Sequence, residues 1–225
     1  KYGEPDMRGY QRFLEDPKGW WLERTNDTGP MAEFRETFAQ AKPNPGHVAL
    51  AEMEALGYIR HIITQNVDNL HQAAGSQHVA EIHGNATKLR CIACNTRWPK
   101  VEFGIEEYPP LCPNCGGLVK DDTVMFGEPI PFDVMALCQA EASRCDCMLL
   151  IGTTAEVYPA AGLPITVKAN SGTLIEINPH ETVISHQCDV TLRAPSGEIL
   201  PGMVERIRSI TKKREQEGDG GGPTQ

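Results

Sequence analysis

"CMLLIGTT", residues 147–154, is a short apolar segment that breaks at Gly152 into small hydroxyl residues, and it points to the fold class. The next segment, residues 157–172, predicts a helix with a proline near its start and a glycine past its end. "TLIEIN" is then apolar again and ends at Asn178. Short apolar strands alternating with helices predict an α/β fold with a parallel, doubly wound sheet.

The other elements extend this pattern. "KPNPGHVALAEMEALG" predicts a helix that Asn44 caps, that begins at Pro45 and that Gly57 ends. "YIRHIIT", residues 58–64, predicts a strand, and a final helix is expected over residues 201–213.

Polar or small residues follow three of the predicted strands, as Thr64-Gln65-Asn66, as Gly152-Thr153-Thr154 and as Asn178. In a doubly wound sheet these strand ends face one crevice, where ligands bind. "GTT" also opens onto a helix amino terminus, which favours phosphate or ribose oxygens. "IGTT" alone is equally compatible with an ordinary strand end, whereas the combination favours a dinucleotide.

Overall composition limits the classes of partner. The chain has 225 residues, a formal net charge of −9 and a pI near 5.3. An acidic chain is a poor match for a nucleic-acid backbone, since that binding needs a basic face. No window of about 20 apolar residues and no signal-peptide pattern is present, so we expect a globular, cytoplasmic protein without a membrane partner.

Four of the eight cysteines form two C-x2-C pairs, Cys91 with Cys94 and Cys112 with Cys115. Two such knuckles can close a tetrahedral thiolate cage around one metal ion, for which zinc is the expected occupant. Four thiolates leave no open coordination position, so the site is expected to be structural. Four unrelated reduced thiols are the alternative, and for the other four cysteines buried reduced thiols are expected.

Taken together, these motifs resemble the sirtuin family of NAD-dependent protein deacylases. The resemblance is carried, in the family's order, by "TQNVDNLHQAAG" (64–75), "EIHGN" (81–85), both cysteine knuckles, "VMFGEPIP" (124–131), "IGTTAEVYPAA" (151–161) and "IN" (177–178). It implies a Rossmann-like large domain with a small zinc-ribbon and helical domain, and NAD bound between them.

The resemblance also implies domain bounds. Residues 1–85 and 121–215 would form the NAD-binding domain, with part of 1–45 contributing a helical module. Residues 86–120 would form the zinc ribbon, and 216–225 a flexible tail by composition.

In sirtuins the acyl-lysine oxygen attacks the nicotinamide ribose, and a histidine then activates a ribose hydroxyl. His83 matches that base, and histidine suits the role because its pKa lies near neutrality. By the same resemblance Gln65 and Asn66 would hold the ribose, with Asn66 also counted as catalytic, and Asp68 would bind the nicotinamide carboxamide. A structural histidine and an ordinary loop cap are the alternatives for His83 and Asp68. Further NAD contacts are expected from Gly152, Thr153, Thr154, Asn178 and Ser196.

The expected substrate is an acetyl-lysine protein or peptide, clamped as an added strand. The residues that match the family's clamp are Val124, Phe126, Gly127, Glu128 and Val157. For Phe126 a core position is a fair alternative. Asp121 and Asp122 would add negative charge near the mouth of the site, so a preference for basic peptides is expected.

Two departures from the family pattern affect these expectations. The Tyr-x-x-Arg pattern of the branch that removes acidic acyl groups is replaced by Arg24 and Asp27, which favours a neutral acyl group such as acetyl. The glycine-rich "GAGIS" loop and "GIPDFR" are absent, with "EPDMR" at 4–8 rejected as a remnant, so we expect a longer parent polypeptide. The alternatives are a protein ADP-ribosyltransferase or NAD hydrolase with the same site, or a non-catalytic zinc-ribbon scaffold.

Overall fold

The computed structural model describes residues 7–28 and 40–216. The chain divides into two compact units. We call Lys1–Ala41, Thr64–Asn69 and Glu81–Val134 the ribbon unit, and Lys42–Ile63, Leu70–Ala80 and Met135–Gln225 the parallel-sheet unit. The expected domain bounds placed residues 64–69, 81–85 and 121–134 with the Rossmann-like part, whereas their contacts group them with the ribbon.

A parallel sheet forms the centre of the parallel-sheet unit. Its strands are β6 (Cys147–Ile151), β7 (Thr173–Ile177) and β8 (Val190–Leu192), in the order β6-β7-β8. β6 and β7 pair in parallel along all five residues, from Cys147 opposite Thr173 to Ile151 opposite Ile177. The connection between them contains a 3-10 turn (Ala160–Gly162) and helix α6 (Leu163–Ala169), as a parallel crossover requires.

Two long helices pack in the core of this unit. α3 (Pro45–Ala55) begins with a capping box in which the Asn44 side chain accepts hydrogen bonds from the Gly46 and His47 N–H groups. α7 (Ser196–Gln216) is the longest helix among the described residues. The shared core is apolar and comprises Ala49, Leu50, Met53, Ile62, Ile177, Leu200 and Val204.

An antiparallel sheet forms the ribbon unit. β3 (Gly84–Cys91) pairs with β4 (Arg97–Pro99) on one side and with β5 (Val119–Thr123) on the other. Helices α1 (Gly9–Glu15) and α2 (Pro17–Asn26) contribute to the core of this unit through Phe13 and Trp21, which contact Leu89, Cys91, Cys112 and Val119.

The remaining elements are short, except for one helix. β1 (Ile62–Thr64) pairs with β2 (Val79–Glu81), with α4 (Leu70–Ala73) between them in sequence, and α5 (Phe132–Ser143) precedes β6. A second 3-10 turn spans Ser185–Gln187. Within residues 7–28 and 40–216, none of the helices combines the length and the apolar character needed to cross a membrane.

Several predicted bounds were wrong. The strand expected over 58–64 is only Ile62–Thr64, and the helix expected over 157–172 is confined to Leu163–Ala169 after the 3-10 turn. The final helix is longer than 201–213, because the Pro195 carbonyl accepts hydrogen bonds from the N–H groups of Glu198 and Ile199 and so starts the helix earlier. Residues 4–6 of "EPDMR" and residues 217–225 of the predicted tail lie outside the described residues.

All eight cysteines are free thiols, but the burial expected for four of them holds only in part. Cys138 is buried, Cys145 and Cys188 are half-buried, and Cys147 is exposed at the start of β6.

Candidate active site and metal centre

His83 lies in the turn that joins β2 to β3. The following Gly84 has φ +79°, and a Cβ atom there would lie 1.4 Å from the Asp122 carbonyl oxygen. Only glycine therefore allows β3 and β5 to approach so closely at this point. The position of His83 is fixed by this strand pairing and by the adjoining turn.

The His83 ring is oriented by the backbone of Gln65. Its Nδ1 lies 3.2 Å from the Gln65 carbonyl oxygen. A carbonyl can only accept, so Nδ1 carries the proton and Nε2 is the acceptor of the neutral ring. Burial lowers the pKa of His83, and the hydrogen bond to Gln65 opposes this shift without cancelling it. The arrangement leaves Nε2 of the neutral imidazole as the atom that can take up a proton.

The polar segment after β1 lies beside His83 in the ribbon unit. Gln65 and Asp68 are half-buried, Asn66 is exposed, and the Asn66 N–H donates to Thr64 Oγ1 at 3.1 Å. The Ala86 N–H donates to the Val67 carbonyl at 2.8 Å, which ties this segment to β3.

Asn85 is a residue of this site that the sequence did not reveal. Its side chain is fully buried, donates to Asn69 Oδ1 at 2.8 Å and to Glu81, and accepts from the Thr87 N–H at 2.8 Å. It thereby connects β3 to the segment that carries Gln65 and Asp68. Its only signal in the sequence is its place at the end of the "EIHGN" motif, and that motif alone assigns it no role.

The expected substrate segment, residues 124–128, begins directly after β5. The Val124 N–H donates to the His83 carbonyl at 2.8 Å, Phe126 is 47% exposed and Gly127 has φ +80°. The Glu128 side chain is only 2% exposed, so of this residue only the backbone could contact a peptide. Val157 belongs to the parallel-sheet unit, where it is 48% exposed.

The expectation of negative charge near the mouth of the site was wrong. Asp121 and Asp122 are 4% and 2% exposed. Asp121 pairs with Arg24 and Lys100, and Asp122 with Arg90 and Arg97. Burial alone would raise the pKa of Asp121, but Arg24 and Lys100 outweigh burial and lower this pKa overall. For Asp122 burial outweighs the two arginines, so the pKa of this carboxyl is raised. Both charges are neutralised inside the ribbon unit.

The parallel-sheet unit brings the ends of β6 and β7 together. The Gly152 N–H donates to the Ile177 carbonyl at 3.1 Å, and the Asn178 side-chain amide donates to the Thr153 carbonyl at 3.2 Å. Gly152 has φ +60°, and Gly152 and Thr154 are exposed. Backbone and hydroxyl groups at these strand ends are suited to ribose and phosphate oxygens.

A buried carboxylate holds the loop that follows β7. Glu176 is 1% exposed and accepts from Ser185 Oγ at 2.6 Å, from the Thr182 hydroxyl and from Arg193 at 2.6 Å. Arg193 also donates to the His180 carbonyl at 3.1 Å. No motif of the sequence predicts this network. Ser196, the other expected NAD contact, begins α7 and lies close to Gly46.

The four knuckle cysteines form a compact group. Their Sγ atoms all lie within 4.8 Å of one another, with 3.5 Å between Cys91 and Cys115 and 3.6 Å between Cys94 and Cys112. Tetrahedral zinc with Zn–S bonds of about 2.3 Å requires sulfur atoms roughly 3.8 Å apart, so the group fits zinc. A Cβ atom on Gly117 would lie 3.1 Å from Cys91 Sγ, so only glycine leaves room beside the sulfurs.

These features define a class of protein: a Rossmann-like parallel sheet with strand ends suited to a nucleotide, combined with a four-cysteine zinc ribbon. The model of the Sir2 family matches residues 6–159, and the chain belongs to the Sir2 family. The predicted family and fold class are thereby confirmed.

Curated relatives and solved structures agree with this assignment. The chain is 38% identical over 218 residues to the "NAD-dependent protein deacylase" of Pyrococcus furiosus, covering 94% of this chain and 84% of that protein. It is 41% identical to "NAD-dependent protein deacylase 2" of Pyrobaculum aerophilum, covering 96% and 83%. A Sir2 homologue solved as an NAD complex superposes with a TM-score of 0.76 at 37% identity, covering 91% of this chain and 77% of that one.

Proposed function

We propose that this chain is an NAD-dependent protein lysine deacylase that acts on acetyl-lysine and produces nicotinamide, O-acetyl-ADP-ribose and the deacetylated lysine residue. The orientation of the His83 ring carries the proposal, since Nδ1 faces the Gln65 carbonyl and Nε2 is left as the acceptor. Membership of the Sir2 family and the relatives' names as deacylases support the same reaction.

His83 takes up the proton in this proposal. Its Nε2 would accept the proton of a ribose hydroxyl while Nδ1 keeps its hydrogen bond to Gln65, so the imidazolium formed stays hydrogen-bonded. NAD supplies the electrophilic ribose carbon and the nicotinamide leaving group. Gln65, Asn66 and Asp68 would hold the nicotinamide riboside, with Asn66 also assigned a catalytic role.

The remaining NAD contacts would come from the parallel-sheet unit. Gly152, Thr153, Thr154 and Asn178 would bind the nucleotide, which is supported by the hydrogen bonds that join the ends of β6 and β7. Ser196 remains a proposed contact on the basis of the family resemblance.

Zinc has a structural role in this proposal. Cys91, Cys94, Cys112 and Cys115 would hold the ion, and four thiolates leave it no free position for a substrate. The ion would therefore keep the ribbon folded and take no part in the reaction.

An acylated peptide is the proposed partner. Solved neighbours titled "Sir2-p53 peptide-NAD+" and "Structure of Sir2Tm bound to a propionylated peptide" are 32% and 30% identical to this chain and superpose with TM-scores of 0.68 and 0.67. Val124, Phe126, Gly127, Glu128 and Val157 would contact the peptide.

A neutral acyl group is favoured by the surroundings of Arg24. Its guanidinium donates to Asp121 at 2.6 Å and lies 4.4 Å from the centre of the Trp20 ring. A cation already paired in this way is a poor receptor for the carboxylate of an acidic acyl group. We therefore expect acetyl-lysine to be processed much faster than succinyl-lysine.

Nicotinamide release with an acetyl-lysine peptide tests the proposal. The wild type should release nicotinamide only when both NAD and the acetylated peptide are present, and His83→Ala should lose at least about 100-fold of this activity, as expected for removal of a general base. His186→Ala, which changes an exposed histidine outside the site, should match the wild type. Equal rates for the two variants, or no turnover by the wild type, would overturn the proposal.

A further inference from the structure

Three buried charged side chains of the ribbon unit meet beside the expected substrate segment. Arg90 on β3, Lys120 on β5 and Glu128 in the following turn have side chains that are 6%, 0% and 2% exposed. The Glu128 carboxylate pairs with Arg90 through one oxygen and with Lys120 Nζ at 3.0 Å through the other. We call these three residues the charge cluster.

Stability alone is a weak reason for such a cluster. Removing several charges from water is costly, and apolar side chains of similar volume often stabilise a core as well or better. What a buried ion cluster provides is a defined geometry, because each charge must keep its partners.

The charge cluster fixes the backbone of the turn Met125–Glu128. The Glu128 carboxylate accepts the Met125 N–H at 2.9 Å, while the Glu128 N–H donates to the Met125 carbonyl at 3.0 Å. Lys120 Nζ donates to the carbonyls of Asp121 and Thr123, each at 2.8 Å. One carboxylate and one ammonium group therefore hold both ends of the substrate segment.

The same strands carry the catalytic histidine. His83 directly precedes β3, and its carbonyl accepts the Val124 N–H directly after β5. Arg90 and Lys120 are opposite each other in the β3–β5 register. The charge cluster thus sets the position of the substrate segment relative to His83 within one sheet.

We propose that Glu128 is a positioning residue for the acylated peptide, which acts through the backbone of residues 124–127 and makes no side-chain contact with the peptide. This inference rests on the proposed function. The exposed parts of the turn, Phe126 at 47% and Gly127, form the surface offered to the peptide, while the carboxylate behind them is out of reach of solvent.

Steady-state kinetics with an acetyl-lysine peptide test this role, with KM measured separately for peptide and for NAD. Glu128→Leu removes both the charge and the acceptor of the Met125 N–H, whereas Glu128→Gln keeps a neutral acceptor. We expect the peptide KM to rise roughly tenfold or more for the leucine variant and less for the glutamine variant, as misplacement of a binding segment predicts. The NAD KM should stay within about twofold in both, since the change lies in the peptide segment.

Two further variants make the result decisive. Glu107→Gln neutralises an exposed acid in the ribbon unit and should match the wild type in both KM values. In the single leucine variant Lys120 loses its partner Glu128, which could unfold the protein. Lys120→Met/Glu128→Leu removes one charge of each sign and avoids this unpaired charge, while the Met125 N–H still lacks its acceptor. If both leucine variants fail to fold, the peptide KM of Glu128→Gln divided by that of the wild type tests the positioning role.

Wild-type turnover tests the proposed function, and the ratio of variant to wild type tests the positioning role. A folded leucine variant with an unchanged peptide KM, or with equal rises in the KM for peptide and for NAD, would overturn the positioning role while leaving the deacylase intact. If the wild type shows no turnover, calorimetric titration with the peptide tests the positioning role, with the peptide Kd of each variant compared with that of the wild type in place of KM.

Discussion

Loss of one zinc ligand should destabilise the ribbon unit alone. Cys115 is suited to this test because its thiol is exposed, so Cys115→Ser removes a ligand without opening a core cavity. Its Sγ lies 3.5 Å from that of Cys91, which is buried among Leu89, Cys112 and Val119. The ion therefore holds buried core residues in place.

The magnitude follows from the binding free energy of structural zinc, about 10–16 kcal/mol for four ligands. One ligand of four then contributes roughly 2.5–4 kcal/mol, which for a chain of this size corresponds to a decrease in Tm of about 5–15 °C. Full removal of the ion costs about as much as the whole stability of a typical domain, so chelation should unfold the ribbon unit.

Tryptophan fluorescence is the appropriate assay, because all three tryptophans belong to the ribbon unit. Trp21 is in its core, with Nε1 donating to the Val119 carbonyl at 3.1 Å, and Trp20 and Trp98 pack against that core. Cys147→Ser, which changes an exposed thiol outside the cluster, is the matched control. Equal melting temperatures and equal zinc content for the two variants would refute the assignment of Cys115 as a ligand.

Three further predictions concern pH, the loop after β7 and the buried acids. Because burial lowers the pKa of His83, the base form persists to lower pH than in a free histidine, and kcat/KM should fall to half at a pH below 6.5; a midpoint above that value would contradict it. Glu176→Leu removes the acceptor for Arg193 and two hydroxyls and should cost roughly 2.5–6 kcal/mol in the free energy of unfolding by denaturant. Its NAD KM should also rise, with smaller changes for Glu176→Gln, and an unaltered NAD KM would show that the network does not set the Asn178 loop. Asp121→Asn should lower the free energy of unfolding by about 2 kcal/mol, a value discounted for the exposure of Arg24 and Lys100. The ratio of the rates for basic and acidic acetyl-peptides should stay unchanged, and a changed ratio would show that the Asp121 charge acts at the mouth of the substrate site.

Local patterns of a few residues were sufficient to predict the fold class and the metal centre. The apolar strands that end at Gly152 and Asn178 indicate a parallel sheet because strand alternation and turn residues are local signals. Two C-x2-C pairs indicate zinc because the spacing itself sets the ligand geometry, and the four Sγ atoms do lie together.

Buried polar networks could not be predicted, since they depend on contacts far apart in sequence. Asp121 and Asp122 look like surface acids until Arg24, Lys100, Arg90 and Arg97 are brought against them. The side chain of Glu128 likewise turns inward only because Arg90 and Lys120 lie on neighbouring strands. The burial of these three carboxylates could not be predicted, because a charged side chain is expected to be exposed unless the partner of opposite charge is known.

Mass spectrometry of the ADP-ribose product tests the central claim most directly. Wild-type protein, NAD and an acetyl-lysine peptide should give O-acetyl-ADP-ribose and the deacetylated peptide in equal amounts, and His83→Ala should give neither. Free ADP-ribose with the peptide still acetylated would instead indicate an NAD hydrolase, and a peptide or protein carrying ADP-ribose would indicate a transferase; either result would contradict the deacylase.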